Sequence, residues 1–129
     1  MAAAEYPSSL KYTKDHEWAR KSGNLIQVGV TWHAQDAIGA VAYVELPKVG
    51  STVTAGGVFG VIESTKATSD LMAPVAGKVV KVNDALANNP GLVNDAPYSS
   101  GWLIEIEPST AGEFDQLMDS ATYTKLLGA

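Results

Sequence analysis

The most constraining feature of the sequence is one stretch from Gly60 to Val79, which reads GVIESTKATSDLMAPVAGKV. An apolar run comes first, a cluster of small and hydroxylated residues surrounds Lys66, and a second apolar segment follows. Two short apolar runs separated by small polar residues are typical of two strands joined by a turn. The stretch therefore predicts a β-hairpin with Lys66 at its tip, with strands over Val58 to Ser64 and over Leu71 to Val75.

The residues around Lys66 give this lysine an unusual setting. Thr65 and Ala67 are small, while Glu63 and Asp70 place carboxylates three residues before and four residues after it. A lysine at a hairpin tip is most often a solvated charge, and a purely structural β-domain is the alternative interpretation. A single uncrowded amine between acidic groups is, however, well suited to covalent attachment of a cofactor.

The remainder of the chain also consists of short runs between turn residues. Twelve glycines and six prolines are distributed over 129 residues, of which 46% are hydrophobic. Frequent turn residues favour many short strands over a helical bundle, and this length supports one hydrophobic core. We expect a single, mainly β domain over residues 1–129, with residues 1–9 flexible.

Two elements are predicted before the hairpin around Lys66. Residues 11–21 and 25–30 read as two strands of a first hairpin. Thr31 is a suitable N-cap for a short helix over residues 32–38, and Gly39 suits the residue that follows the helix.

Three segments are predicted after the hairpin: a polar loop over residues 84–101, a strand over 102–106 and a helical segment over 110–127. Leu92 and Val93 are the expected anchors of the loop in the core. Thr110 to Glu113 has the spacing of a capping box, which predicts one helix there, and a second short helix is expected near Ser120.

Charge and composition exclude several function classes. Residues 84–129 hold seven acidic side chains and one basic side chain, and the whole chain has a formal net charge of -5. Nucleic-acid binding requires a basic face, and the longest apolar runs are too short to span a membrane. The chain contains no cysteine, so any sulfur chemistry has to come from a cofactor.

The N-terminal sequence MAAAEYPSS lacks the basic and then apolar pattern of a secretion signal. The resulting expectation is a cytoplasmic, bacterial-type location. A mitochondrial matrix location would require that a transit peptide had already been removed.

The two histidines and Glu17 are the other candidate site residues. His16 and Glu17 could ligate a metal, but no second histidine stands at helical spacing, so a structural or surface role is favoured and no metal is predicted. His33 has no nucleophile partner in any recognisable motif. No catalytic residues are predicted, and the chain does not read as an enzyme.

Five blocks occur along the chain in the order LKYTKDHEW, AQDAIG, YVELPKVG, VIESTKATSDLMAPVAGKVVKVN and NDAPYSSGWLIEI. Together they resemble the H protein family of the glycine cleavage system, in which ES-x-KA-x-SD surrounds a lipoylated lysine. Five blocks in the same order are far more specific than one lysine motif, and they cover nearly the whole chain.

The resemblance implies a lipoyl/biotinyl-type sandwich of two small antiparallel sheets, a flattened barrel, with a short helix near residues 32–38 and C-terminal helices. It further implies that Lys66 carries lipoic acid through an amide bond. The implied candidates for recognition of the tip or for an arm cleft are Glu63, Ser64, Asp70, Glu17 and His33.

The same resemblance implies a non-catalytic carrier. The arm would take the aminomethyl group of glycine from a pyridoxal-phosphate-dependent glycine decarboxylase to a tetrahydrofolate-dependent aminomethyltransferase. It would pass electrons to dihydrolipoamide dehydrogenase, and lipoate-attaching enzymes would load the lysine.

Two alternative functions would use the same lysine. An H-like protein that relays lipoate to other enzymes would carry the same motif, and a lipoyl domain of another multienzyme complex would share the hairpin. A biotinyl domain is disfavoured because Lys66 is flanked by Thr65 and Ala67 instead of a methionine. The additional blocks outside the hairpin disfavour a lipoyl domain of a 2-oxo-acid dehydrogenase.

Overall fold

Two antiparallel sheets pack against each other in the computed structural model, which describes residues 5–110 and 112–128. The larger sheet has six strands in the order β1-β2-β3-β9-β8-β5, and the smaller sheet has three in the order β4-β6-β7. The expected mainly β sandwich is confirmed. The sheets remain open, with β1 and β5 at the edges of the larger one, so the structure is a sandwich and not a flattened barrel.

The strands of the described residues are β1 (Lys11–Tyr12), β2 (Glu17–Ser22), β3 (Leu25–Val30), β4 (Val41–Glu45), β5 (Thr52–Val53), β6 (Val58–Ser64), β7 (Thr68–Met72), β8 (Gly77–Val82) and β9 (Ile104–Pro108). The helices are α1 (Trp32–Ile38), α2 (Ala85–Asn88), α3 (Leu92–Asp95), a 3-10 turn (Phe114–Gln116) and α4 (Ser120–Leu126). Within this part of the chain no helix combines the length and the apolar character needed to cross a bilayer.

The main hydrophobic core lies between the two sheets. Val28 and Ile106 from the larger sheet are fully buried and belong to the same cluster as Ile62 and Leu71 from the smaller sheet. Each such side chain contributes roughly 1.5–3 kcal/mol on burial, so the packing of the two sheets is the main stabilising interaction. It also fixes the orientation of the strands that lead to Lys66.

The hairpin around Lys66 is confirmed, but its second strand is displaced from the prediction. β7 begins at Thr68 and ends at Met72, whereas the sequence predicted a strand over 71–75. The prediction followed apolar character, but β7 is an edge strand of the smaller sheet and its first three residues are polar and exposed. Backbone pairing such as Glu63 with Thr68 extends the ladder through them.

Helix α1 forms where the sequence predicted it. The Thr31 hydroxyl accepts a hydrogen bond from the Ala34 backbone N–H at 3.2 Å, which satisfies one of the free donors of the first turn. Gly39 ends the helix with φ of 87°, a backbone conformation that favours glycine. The predicted hairpin of residues 11–30 is confirmed for β2 and β3, but its first strand, predicted over 11–21, is interrupted. β1 ends at Tyr12, and the chain turns before β2 begins at Glu17, so that β1 pairs with β2.

Residues 84–101 are not the irregular loop that was predicted, because they contain α2 and α3. Each helix has only four residues, which is too short to give a periodic apolar pattern. The expected anchors are confirmed, since Val93 is fully buried and Leu92 packs against the core. Trp18 Nε1 also donates to the Pro97 carbonyl oxygen at 2.9 Å, which ties the segment to β2.

The prediction of a helix at the capping-box motif is wrong. Phe114–Gln116 form only a 3-10 turn, and Ala111 within the motif lies outside the described residues. The Glu113 carboxylate accepts a hydrogen bond from the Ala76 backbone N–H at 2.8 Å instead of capping a helix. The second predicted helix is confirmed as α4, with Asp119 as its N-cap.

Residues 5–7 are hydrogen-bonded to the fold, while residues 1–4 lie outside the described part, and the flexibility of residues 1–9 remains a prediction. Three side-chain hydroxyls donate to their backbone carbonyl oxygens: Tyr98 to Glu5, Ser120 to Tyr6 and Tyr12 to Pro7. Contacts of this kind oppose fraying of a chain terminus.

A second, aromatic cluster lies on the face of the larger sheet that points away from the main core. Trp18 and Ala19 are successive residues of β2, and successive strand residues point to opposite faces. Trp18 is fully buried and lies across from Gly29 on β3. A Cβ atom at Gly29 would come within 2.5 Å of indole atoms of Trp18. Glycine is therefore required at this position by packing.

We expect Gly29→Ala to lower the free energy of unfolding by about 1–3 kcal/mol, because the added methyl group displaces a buried indole. Gly91→Ala is the matched control, since the nearest atom to a Cβ there is Asn89 Oδ1 at 3.6 Å and Gly91 has a φ of -62°. Urea denaturation of the two variants measures the difference. Equal stability of both variants would contradict this account of the packing.

Candidate functional site: a lysine-tipped hairpin beside a cleft

Ser64 organises the tip of the hairpin. Its backbone N–H donates to the Ala67 carbonyl oxygen at 2.8 Å. Its Oγ accepts from the backbone N–H groups of Lys66 at 3.2 Å and of Ala67 at 3.1 Å. A hydroxyl that accepts hydrogen bonds from two consecutive N–H groups fixes the turn, whose backbone has no neighbouring strand to bond with. Ser64, a predicted recognition residue, therefore also has a structural role at the tip.

The strands behind the tip are well supported. β6 is the central strand of the smaller sheet and pairs with β4 on one side and β7 on the other, up to the pairs Val41–Ser64 and Glu63–Thr68. Ile62 and Leu71 anchor the two arms in the core and are 4% and 2% exposed. The structure therefore holds the hairpin firmly almost to Lys66.

Lys66 itself is exposed, and its aliphatic stem passes over the end of α1. A Cβ at Gly39 would lie 3.0 Å from Lys66 Cε, so the stem fits there because Gly39 has no side chain. Among the described residues, no hydrogen bond or ion pair engages the Lys66 amine. The amine is thus accessible for chemical modification.

A cleft of about 320 Å³ opens beside the tip, and we call it the histidine cleft. It lies between α1, the hairpin and the chain that leads into β2. Its lining includes Asp15, His16, Glu17, His33, Ala37 and Asp70. Three of the predicted site residues, Glu17, His33 and Asp70, are therefore brought together from positions far apart in the sequence.

Glu17 lies at the bottom of the histidine cleft and is only 2% exposed. Its Oε2 accepts from the Met72 backbone N–H at 3.1 Å, and its Oε1 accepts from the Thr13 hydroxyl at 3.0 Å. Burial raises the pKa of Glu17 to about 8, although both hydrogen bonds act in the opposite direction. The carboxyl group therefore retains its proton at neutral pH.

His16 joins the cleft to the C-terminal helix. Its Nδ1 lies 2.8 Å from the Tyr123 hydroxyl, which is also 2.9 Å from the Thr31 hydroxyl. The His16 and His33 rings lie side by side with their centroids 4.5 Å apart. Burial, with a smaller effect of His33, lowers the pKa of His16, so the ring is neutral at physiological pH. His16 also has a φ of 70°, which is uncommon for a residue with a side chain.

The other predicted residues lie at the tip but outside this cleft. Glu63 is half-buried, pairs with Tyr43 and Thr68, and is not among the described residues that line the cleft. Asp15 and Tyr123 were missed as site residues by sequence reasoning. Neither has a sequence signal, because only the tertiary packing brings them to α1.

Across residues 5–110 and 112–128 no group of three or more histidine, cysteine, aspartate or glutamate side chains is placed to hold a metal ion. The fold and the site instead define a class of protein: a β-sandwich carrier domain that displays a single modifiable lysine at the end of a hairpin.

Comparisons with known proteins identify the family within this class. The Glycine cleavage H-protein family profile matches residues 10–129. A glycine cleavage system H protein of Myxococcus xanthus is 62% identical over 125 residues, which cover 97% of each chain. A mitochondrial glycine cleavage system H protein 2 of Arabidopsis thaliana is 55% identical over 116 residues, covering 90% of this chain and 74% of that protein.

Structural similarity agrees with these matches. The crystal structure of a glycine cleavage system H protein from Mycobacterium marinum superposes with a TM-score of 0.87 at 37% identity, covering 95% of this chain and 99% of that one. The chain belongs to the glycine cleavage H-protein family, whose members are carrier components of the glycine cleavage system and not catalysts.

The residues of the site fit an acyl group on Lys66, the kind of cofactor attachment that this family uses. The amine is exposed and unpaired among the described residues, so nothing has to be displaced before an amide forms. The histidine cleft begins at the tip itself, because Ala67 is one of its lining residues. The tip of the hairpin and the histidine cleft are therefore contiguous.

The raised pKa of Glu17 predicts a pH-dependent stability. Between pH 4.5 and about 8 the unfolded chain loses this proton while the folded chain keeps it, so the stability contributed by the neutral group is lost as the pH rises. We expect the free energy of unfolding of the wild type to fall relative to Glu17→Gln across this range. Urea titrations of both proteins at several pH values measure this difference in the free energy of unfolding. His16 is present in both proteins, so its own titration does not contribute to the difference. A difference that does not change with pH would contradict the assignment.

Proposed function

We propose that this chain is the lipoylated carrier of a glycine cleavage system, with lipoic acid joined to Lys66 by an amide bond. The observation that carries the proposal is the free amine of Lys66 at the end of a hairpin whose first strand, β6, is paired on both sides. A rigid root leaves only the arm to be ordered at each encounter with an enzyme, which lowers the entropy cost of binding. Residues 1–129 would form one carrier domain, and a cytoplasmic location remains a prediction.

Acylation changes the electrostatics of the tip. An amide replaces the charged ammonium group of Lys66, so the formal net charge would change from -5 to about -6. A bound lipoyl group supplies a disulfide that takes up the aminomethyl group of glycine together with two electrons. The chain has no cysteine and cannot supply this chemistry itself.

The histidine cleft is our proposed shelter for the amine-bearing end of the arm. Glu17 and Asp70 present carboxyl groups to it, and His33 lies on its helical wall. An incoming cation lowers the pKa of a nearby carboxyl group, so Glu17 would release its proton and pair with the amine. Because Glu17 is already held by Met72 and Thr13, it needs no reorientation to do so.

The proposed partners are a pyridoxal-phosphate-dependent glycine decarboxylase, a tetrahydrofolate-dependent aminomethyltransferase, dihydrolipoamide dehydrogenase and lipoate-attaching enzymes. All of them would have to reach the same tip. Glu63 and Ser64 are our candidates for its recognition during lipoate attachment, since they immediately precede the exposed turn. Contacts shared by several enzymes are expected to be small and transient.

We expect Lys66→Arg to abolish both lipoylation and glycine-dependent CO2 exchange with purified glycine decarboxylase, because arginine keeps the charge but offers no acylable amine. Lys48→Arg is the matched control at another exposed lysine and should retain both. Intact-mass spectrometry of protein from lipoate-supplied cells measures the modification.

Two outcomes of this experiment would count against the proposal. A lipoyl increment that persists in Lys66→Arg would place the attachment elsewhere. A lipoylated wild type without any glycine-dependent exchange would favour the alternative, in which an H-like protein relays lipoate to other enzymes.

A further inference from the structure

Helix α1 separates two clefts. His33, Ala34, Ala37 and Ile38 face the histidine cleft. Gln35, Asp36 and Gly39 line a second cleft of about 420 Å³ together with Ala40, Val41, Gly91, Asn94 and Asp95. The spacing of the α1 residues in these two linings follows the helical repeat, so the two linings lie on different sides of this short helix. We call the second space the asparagine cleft, and none of the sequence motifs predicted it.

Neighbours of Lys66 line both clefts: Ala67 lines the histidine cleft and Gly39 lines the asparagine cleft. The stem of the lysine lies against Gly39, with Cε 3.0 Å and Nζ 3.6 Å from the position that a Cβ would occupy there. Gly39 is part of the asparagine cleft and not of the described lining of the histidine cleft. The root of the arm is therefore directed along the side of α1 that borders the asparagine cleft.

Gln35, which lines the asparagine cleft, has an unsatisfied hydrogen-bond donor. Its side chain is 2% exposed, and its Nε2 has no hydrogen-bond partner among the described residues. The orientation of the amide is fixed, because Gln35 Oε1 accepts from Asn94 Nδ2 at 3.1 Å. Asn94 is itself fixed by donating to the Gly39 carbonyl oxygen at 2.8 Å and accepting from the Val41 backbone N–H at 2.8 Å.

A buried donor without a partner is unfavourable, so an acceptor that reaches Gln35 Nε2 would stabilise the structure. Acylation of Lys66 creates one strong acceptor on the arm, the amide carbonyl oxygen next to Nζ. The sulfur atoms at the far end of a lipoyl group are weak acceptors by comparison. The chemistry of the arm thus matches the donor that Gln35 leaves free.

We propose that the asparagine cleft is a second resting place for the acylated Lys66 side chain, in which Gln35 Nε2 donates to the carbonyl oxygen of the new amide. The inference rests on the proposed lipoylation of Lys66. The arm would then have one place on each side of α1, and it would move between them by turning about its root over Gly39.

The test uses ¹³C- and ¹⁵N-labelled protein whose Lys66 is acylated enzymatically with unlabelled lipoic acid. Isotope-filtered NOE spectra report which protein methyl groups lie near the arm. We expect NOEs from the oxidised arm to the Ala40 methyl group and a shift of the Gln35 side-chain amide protons on acylation. Ala40 and Ala37 are both exposed and mark the asparagine and histidine clefts, respectively.

A matched pair of variants sharpens the result. Ala40→Leu fills the asparagine cleft and should abolish these NOEs and the Gln35 shift, whereas Ala37→Leu fills the histidine cleft and should leave both in place. Both substitutions are at exposed positions, so folding is expected to be retained. NOEs from the oxidised arm only to Ala37, or to neither methyl group, would overturn the inference. A chain that is not acylated at Lys66 by intact mass would instead overturn the proposed function itself.

Discussion

The site depends on one arrangement of backbone hydrogen bonds: β6 is paired on both sides, and its last residue closes the turn beyond it. β4 and β7 flank β6 up to Ser64, whose hydroxyl then binds the N–H groups of the two residues that the ladder cannot reach. Ile62 and Leu71 fix the same strands to the core between the sheets. A terminal lysine on such a support has a defined root and a mobile end, which is the mechanical requirement for a group that several enzymes have to reach.

The surroundings of the tip are assembled by contacts between distant parts of the chain. α1 forms the wall between the two clefts, and it is held from its N-terminal end by Thr31 and from its C-terminal end by the contact of Asn94 with Gly39. The C-terminal helix contributes through Tyr123, whose hydroxyl meets both Thr31 and His16. Segments that carry none of the recognisable motif around the lysine therefore determine the shape of the space into which an arm can move.

The sequence predicted the local features well. The β2–β3 hairpin, the capped helix α1 and the lysine at a hairpin tip all follow from short patterns whose causes are local, such as the Thr31 cap. The failures have a common physical origin. The capping-box motif did not form a helix, because the Glu113 carboxylate accepts a hydrogen bond from the distant Ala76 backbone N–H instead. The four-residue helices α2 and α3 are too short to show periodicity, and both clefts arise from long-range packing that no local pattern encodes.

The central claim, that the hairpin is rigid up to its tip, can be tested directly by ¹⁵N relaxation on the lipoylated protein. Our account predicts backbone order parameters at Thr65, Lys66 and Ala67 close to those of the core strand β8, at about 0.85. Order parameters below about 0.6 at these three residues would show a flexible tip and contradict the account.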